Sequence, residues 1–386
     1  MSRIILLITI AIFCFIIESN SQTKNDVQEL NLNGQVMSIK EVEFETIGKN
    51  GETSKKNIKS NILRTFNYKG YDVEINIYDE NSKIFETCNK KYDDFGNLTE
   101  KSKSNGSGVV IEKNVYQYDE LANVIEEIEY AKDNLFVSRN TWKYNGTGKV
   151  IKHNKYDVNG NVIWKSTLKY DNSENIIEEI EYDEKGNIEN RWTWKYDSKG
   201  SPIEENEYDT DGLLRSRYTC KYYYLENKVL LKNYNSQEEL IEKRILKYDK
   251  IGNVIERSRY NPDETLKDKT TWLYDEFGNQ IELNIFNTDE SIKETTVYKY
   301  DKKGNRIEVL KYNGAKILKE KCIYEYDKKG NRIEEIEYNE SGEIARRTSY
   351  NGYDNKKNWT QKITYSYDKN SNPLNTTVIE RQFTYF

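Results

Sequence analysis

Catalysis needs unlike reactive side chains brought to one place, and this sequence offers few of them. It holds one histidine, His153, on a stretch shared with Lys152 and Lys155. A lone imidazole builds no metal cluster, and its lysine neighbours make a surface position the expectation. After an apolar leader, three cysteines stand far apart: Cys88, Cys220 and Cys322. That spacing makes neither a zinc site nor a disulfide framework and predicts three small packed hydrophobes. Glutamates recur in pairs, as Glu126-Glu127, Glu178-Glu179, Glu204-Glu205 and Glu334-Glu335. A pair copied at the same place in many repeats reads as solvation of a face, not as one acid–base couple. Asp209-Thr210-Asp211-Gly212 has the start of a calcium loop without its further ligands or closing glutamate, so a plain turn is expected. The sequence predicts no catalytic residue, no metal, no cofactor and no enzyme.

What remains is aromatic. Trp142, Trp164, Trp192, Trp194, Tyr218, Trp272, Tyr298 and Tyr324 share one parity of the pattern described below. Flat rings flanked by carboxylates and amides can stack on sugar rings or on an extended peptide, and these eight are the candidate ligand-binding residues. The competing expectation makes them the core of a thin sheet, where each buried large side chain contributes about 1.5–3 kcal/mol.

The element that must position them is a repeat. From Phe66 the chain keeps a period of 26 residues, anchored at Phe66, Tyr92, Tyr118, Tyr144, Tyr170, Tyr196, Tyr222, Tyr248, Tyr274, Tyr300 and Tyr326. A second ring column follows twelve residues later, from Tyr78 to Tyr338, interrupted only by Ser104. Such periodicity is read before anything else. Each period holds two turns and two short strands. The turn, Y-[DN]-x-x-[GE], pairs an Asx side chain with a fourth position that tolerates positive φ, as in a type I turn followed by a left-handed residue. Alternation places the anchor, the position two before it and the apolar position eight before it on one strand face. The isoleucines seven residues after each anchor sit at an odd distance from the closing tyrosine. They lie on the opposite face unless a bulge restores the register.

Composition agrees with strands. The 386 residues include 32 Tyr, 11 Phe and 6 Trp against 3 Pro, and charged residues make up 32%. Disordered chains lack such aromatics. The net charge of −6 is finely intermixed and contains no basic block, which excludes a nucleic-acid partner. Arg3, the apolar run Ile4–Ile17 and Ser19-Asn20-Ser21 before Gln22 read as a signal peptide over 1–21. Export follows as the expectation, to a secreted, periplasmic or cell-surface location, with no transmembrane span in the mature chain. Cys14 follows Phe13 inside the apolar run, which argues against lipid anchoring.

The expected organisation is an N-terminal cap over 22–65, including a polar loop at 48–60, then the repeat array over 66–342. Irregular repeats over 343–386 would cap the sheet and guard its edge around Pro373. Twenty or more strands at roughly 4.8 Å span about 100 Å as one layer. The fold class expected is all-β: a long antiparallel meander of two-strand units forming an elongated, twisted or superhelical sheet. A membrane barrel is disfavoured, because Glu178 with Glu179 and Lys243 with Arg244 put charge on both parities.

The runs Y-D-D-F-G-N, Y-D-E-F-G-N, Y-D-K-I-G-N and Y-D-K-K-G-N, the last occurring twice, resemble the YD repeat of the RHS family over roughly Phe66–Pro373. The resemblance implies β-sheets that spiral into shells or stalks, in proteins often labelled carbohydrate-binding and at the cell surface. The core segment and variable C-terminal domain of toxin-bearing members have no counterpart here, so the resemblance implies the repeat fold and not toxin delivery. A looser likeness is to MORN-type hairpin repeats. The expected function is an exported, non-enzymatic binding module for a glycan or protein ligand at the cell envelope or outside the cell. The alternative is a structural or immunity-type scaffold that meets a partner protein through its polar surface.

Overall fold

The computed structural model describes residues 25–47, 54–368 and 373–386. The expected signal segment lies outside the described residues. Local turn chemistry explains the repeat. Asp171 Oδ1 accepts from the backbone N–H of Ser173 and Asn175, each at 2.9 Å, while the Asn175 side chain donates to Oδ2 at 3.0 Å. Backbone bonds from Asp171 N–H to the Asn175 carbonyl and from Glu174 N–H to the Asp171 carbonyl close the hairpin. Hydrogen bonds from the asparagine side chain, then from backbone amides, hold the carboxyls of Asp171 and Asp183 below their usual range. The fourth turn residue is left-handed: Gly186 at φ 84°, or Glu174 at φ 66° where glycine is absent. Asp209–Gly212 is a plain turn of this kind, with Asp209 Oδ1 accepting from Asp211 and Leu213.

Most anchor tyrosines then tie their strand to the neighbour. The Tyr196 hydroxyl donates to the Ile176 carbonyl at 2.8 Å, and Tyr118, Tyr144, Tyr170 and Tyr300 do the same to Leu98, Val124, Val150 and Gln280. Burial, and secondarily the negative charge of Asp171 in the preceding turn, push the Tyr196 hydroxyl up to about 12.

The strands pair antiparallel in chain order. The first, β1 (Val36–Ile47), pairs with β2 (Ser54–Phe66), and the series ends with β24 (Ile344–Tyr353), β25 (Trp359–Tyr367) and β26 (Pro373–Tyr385). Strand β26 returns to β1, with Ser38 opposite Thr384 and Glu43 opposite Ile379. The sheet is therefore a closed 26-strand barrel, and the expected elongated or superhelical open sheet is overturned. Two free edges of this length would leave two rows of unpaired backbone groups, and pairing them satisfies both. The first segment supplies two strands of the ring, β2 begins inside the expected 48–60 loop, and the last segment has no edge to guard. A short helix, α1 (Asp26–Glu29), with an Asn25 capping box, packs Val27 beside Leu32, Val36, Ile39 and Phe66 at the closing seam.

Alternation and bulges together decide the faces. Near most turns a strand residue is skipped: Lys195 pairs with Glu204 and Tyr196 with Pro202, leaving Ile203 over. Ile203 lies two residues before Glu205, which is opposite Trp194, so alternation puts the isoleucine column on the tryptophan face, opposite the closing tyrosine. At the other rim Glu181 pairs with Asn190 and Tyr182 with Ile188. The column eight before each anchor thereby moves to the opposite face, where Phe136 meets Tyr130 edge-on. The expectation that it shares the tryptophan face is corrected. On that opposite face cations lie over the second ring column, as Lys165 over Tyr182 and Arg191 over Tyr208.

The layer is thin. Its accessible surface is 24286 Å², against about 16,000 Å² for a compact protein of this mass. At about 4.8 Å per strand the perimeter is about 125 Å, more than inward side chains can fill. Both faces stay wet, and most strand residues are half-buried.

Candidate functional site

The site occupies five neighbouring strands: β12 (Ile188–Tyr196), β13 (Pro202–Tyr208), β14 (Leu214–Tyr223), β15 (Lys228–Tyr234) and β16 (Leu240–Tyr248). Register places Trp194 opposite Glu205, Glu205 opposite Tyr218, Tyr218 opposite Asn233 and Asn233 opposite Glu242. Directly opposed residues share a face, so these five form one row across the sheet. Beside the row, Cys220 faces Leu231 and Leu231 faces Arg244. The row borders a cavity of about 470 Å³ that Ile203, Cys220 and Leu231 line with apolar surface. A second cavity, beside Cys322 and Glu337, opens on the same face. Trp194, Glu205 and Tyr218 thus open onto one cavity on the tryptophan face.

Glu205 is the central polar group. It is 8% exposed, and burial holds its carboxyl above the usual range against the stabilising Trp194 hydrogen bond. Its Oε2 is buried without a hydrogen-bond partner, as are Asn233 Oδ1 and Arg244 Nε. Burial likewise raises the Tyr218 hydroxyl, which hydrogen-bonds the Asn233 side chain. Arg244 is held by Glu242, Nη2 to Oε1 at 2.9 Å. The arrangement can stack a flat group, accept two hydrogen bonds and donate one. It contains no nucleophile set against a base. Among the described residues no group of three His, Cys, Asp or Glu side chains is placed to hold a metal ion.

Of the eight candidate residues, the structure brings Trp194 and Tyr218 together at the cavity. Trp192 lies on the same face of β12. Trp142 and Trp164 enclose His153 instead, Trp142 stacked on the imidazole at 4.6 Å and Trp164 edge-on at 5.0 Å. His153 is thus no surface residue; burial holds its pKa below the usual range. Trp272 lies under Arg257, and Tyr298 and Tyr324 share Arg306. All eight are half-buried, neither a dry core nor a bare platform. Cys88, Cys220 and Cys322 are in no disulfide, and of the three only Cys220 is buried. The sequence reading missed Glu205, Asn233 and Arg244. Glu205 was hidden among its copies, and the available signal was a small residue, Cys220, where most repeats carry a large one, beside an apolar Leu231 where most carry a polar one.

No family model and no curated relative matches the chain. Among solved structures it is similar to a Photorhabdus luminescens Tc holotoxin pore, at 13% identity and a TM-score of 0.36, over 84% of this chain and 19% of that one. A TcdB2-TccC3 structure gives 10% identity and a TM-score of 0.28, over 84% and 25%. A porin-like protein from Bacteroides uniformis gives 11% identity and a TM-score of 0.17, over 91% and 98%. The chain spans a fifth to a quarter of the toxin chains. These likenesses go no further than a β-rich repeat architecture.

Proposed function

We infer that this is an exported, non-enzymatic binding module of the YD-repeat type, and that its ligand, a glycan or a segment of protein, seats in the groove at Trp194–Glu242. The observation that carries the reading is the groove itself: a cavity of about 470 Å³ on the tryptophan face, with two rings and three unpartnered buried polar atoms along it. Buried polar groups without partners are rare in folded proteins and cluster where a ligand completes them. The leader-like first 21 residues support export. Charged side chains stand at mid-strand on both faces, Glu178 with Arg191 on one and Glu205 on the other. Neither face offers the apolar belt of a lipid-spanning barrel.

The test is a glycan array and a capture screen against envelope proteins, run with the native chain and with Trp194→Ala. The reading expects a ligand whose binding drops at least tenfold in the variant while circular dichroism stays unchanged. A ligand insensitive to Trp194 would instead favour a scaffold working through its outer surface.

A further inference from the structure

The groove's electrostatics narrow the ligand, on the reading that the groove is a binding site. Elsewhere on the sheet, several half-buried glutamates have cationic neighbours. Glu178 meets Lys169 and Arg191, Glu204 meets Lys195, and Glu308 meets Lys299 and Lys321. Glu205 is more buried than these, yet among the described residues no ion pair reaches it. One carboxylate oxygen takes the Trp194 indole N–H, and the other, Oε2, faces no donor. Register sets Trp194 on one side of Glu205 and Tyr218 on the other. An uncompensated buried carboxylate between two aromatic rings, with a second orphan acceptor on Asn233, has one economical complement: a positively charged donor. A hydroxyl would satisfy the acceptors and leave the charge unbalanced.

We propose that the groove takes the basic side chain of a peptide, its ammonium or guanidinium seated on Glu205 between Trp194 and Tyr218. The N–H groups donate to Glu205 Oε2 and Asn233 Oδ1. Arg244 does not fill this role itself, because Glu242 holds its terminal nitrogen. Its buried Nε–H lacks an acceptor, and a peptide carbonyl supplies one. A bare amine supplies the cation alone, so the Arg244 contact is what selects a peptide over a free amine.

The experiment is calorimetric titration of the full chain with blocked tripeptides carrying a central arginine, lysine or norleucine, with butylguanidinium, and with maltotriose. The arginine or lysine peptide is expected to bind at least about tenfold more tightly than the norleucine peptide. Glu205→Gln keeps the shape and the Trp194 contact. It is expected to remove that preference without lowering the melting temperature, whereas Glu127→Gln, the equivalent residue three repeats earlier, leaves it intact. Butylguanidinium binding as well as the peptide would overturn the peptide source. Equal binding of arginine and norleucine peptides, an unaffected Glu205→Gln variant, or no cationic ligand bound below about 1 mM would overturn the proposal. Binding of maltotriose that needs Trp194 but not Glu205 would overturn it too, while leaving the groove as a ligand site. If nothing binds and no ligand emerges from either screen, the broader reading fails with it.

Discussion

Three repeats before the groove, the same positions of the sheet are closed. There β6 (Val110–Tyr118), β7 (Val124–Ala131), β8 (Leu135–Tyr144), β9 (Val150–Tyr156) and β10 (Val162–Tyr170) place Tyr116 opposite Glu127 and Glu127 opposite Asn140. These stand where Trp194, Glu205 and Tyr218 stand in the groove. Glu127 receives side-chain amides from Asn114 and Asn140, each at 3.3 Å. Trp142 and His153 occupy the places of Cys220 and Leu231, stacked face to face. One region saturates its carboxylate and fills its hollow with rings, and the other leaves Glu205 Oε2 orphaned over small side chains. In a periodic protein, function shows where the period is locally broken.

The largest expected effect comes from erasing that difference. Cys220→Trp combined with Leu231→His copies the closed region into the groove and should weaken ligand binding by about a hundredfold or more. Titration checks this, and retained affinity would mean the ligand sits elsewhere. The converse exchange, Trp142→Cys with His153→Leu, opens the closed region. It should cost about 2–3 kcal/mol in urea unfolding, below the full cost of emptying a core because both rings are already half wet.

Smaller effects test what the two regions share. Tyr196→Phe removes the hydroxyl bond to Ile176 and should cost about 1 kcal/mol. The sign of the pH dependence follows from its raised pKa. The folded state prefers the neutral phenol, so this contribution is intact below the ordinary value of 10.0 and is lost as pH rises to about 12. Alkaline unfolding of the native chain should therefore be steeper through that window than in Tyr196→Phe. The turn carboxylates run the other way. Asp171 and Asp183 are held below their usual range, so their contribution is present above about pH 4 and fades as pH falls below it. Asp171→Ala should show a smaller acid dependence than the native chain.

The parts legible in the sequence were the local ones. Asp171, Asn175 and a left-handed fourth residue make their turn by contacts within five residues, so the Y-[DN]-x-x-[GE] pattern announced most of the hairpins. The faces were half legible: alternation sets Ile203 opposite the closing Tyr208, but a bulge moves Ile188 to the other face. Alternation alone carries no mark of that bulge. Closure was illegible because Ser38 and Thr384 meet only after the twist and tilt of every intervening strand accumulate. The groove was hardest. Glu205 looks like Glu127 and Glu179, and its environment differs through neighbours that register alone brings together, Cys220 and Leu231.

Closure of the ring can be measured directly. The Ser38 and Thr384 hydroxyls stand 2.7 Å apart across the β1–β26 seam. Ser38→Cys with Thr384→Cys should therefore form an intramolecular disulfide on mild oxidation, in the monomer and without loss of thermal stability. A pair that stays reduced, or that links only different molecules, would contradict the closed barrel.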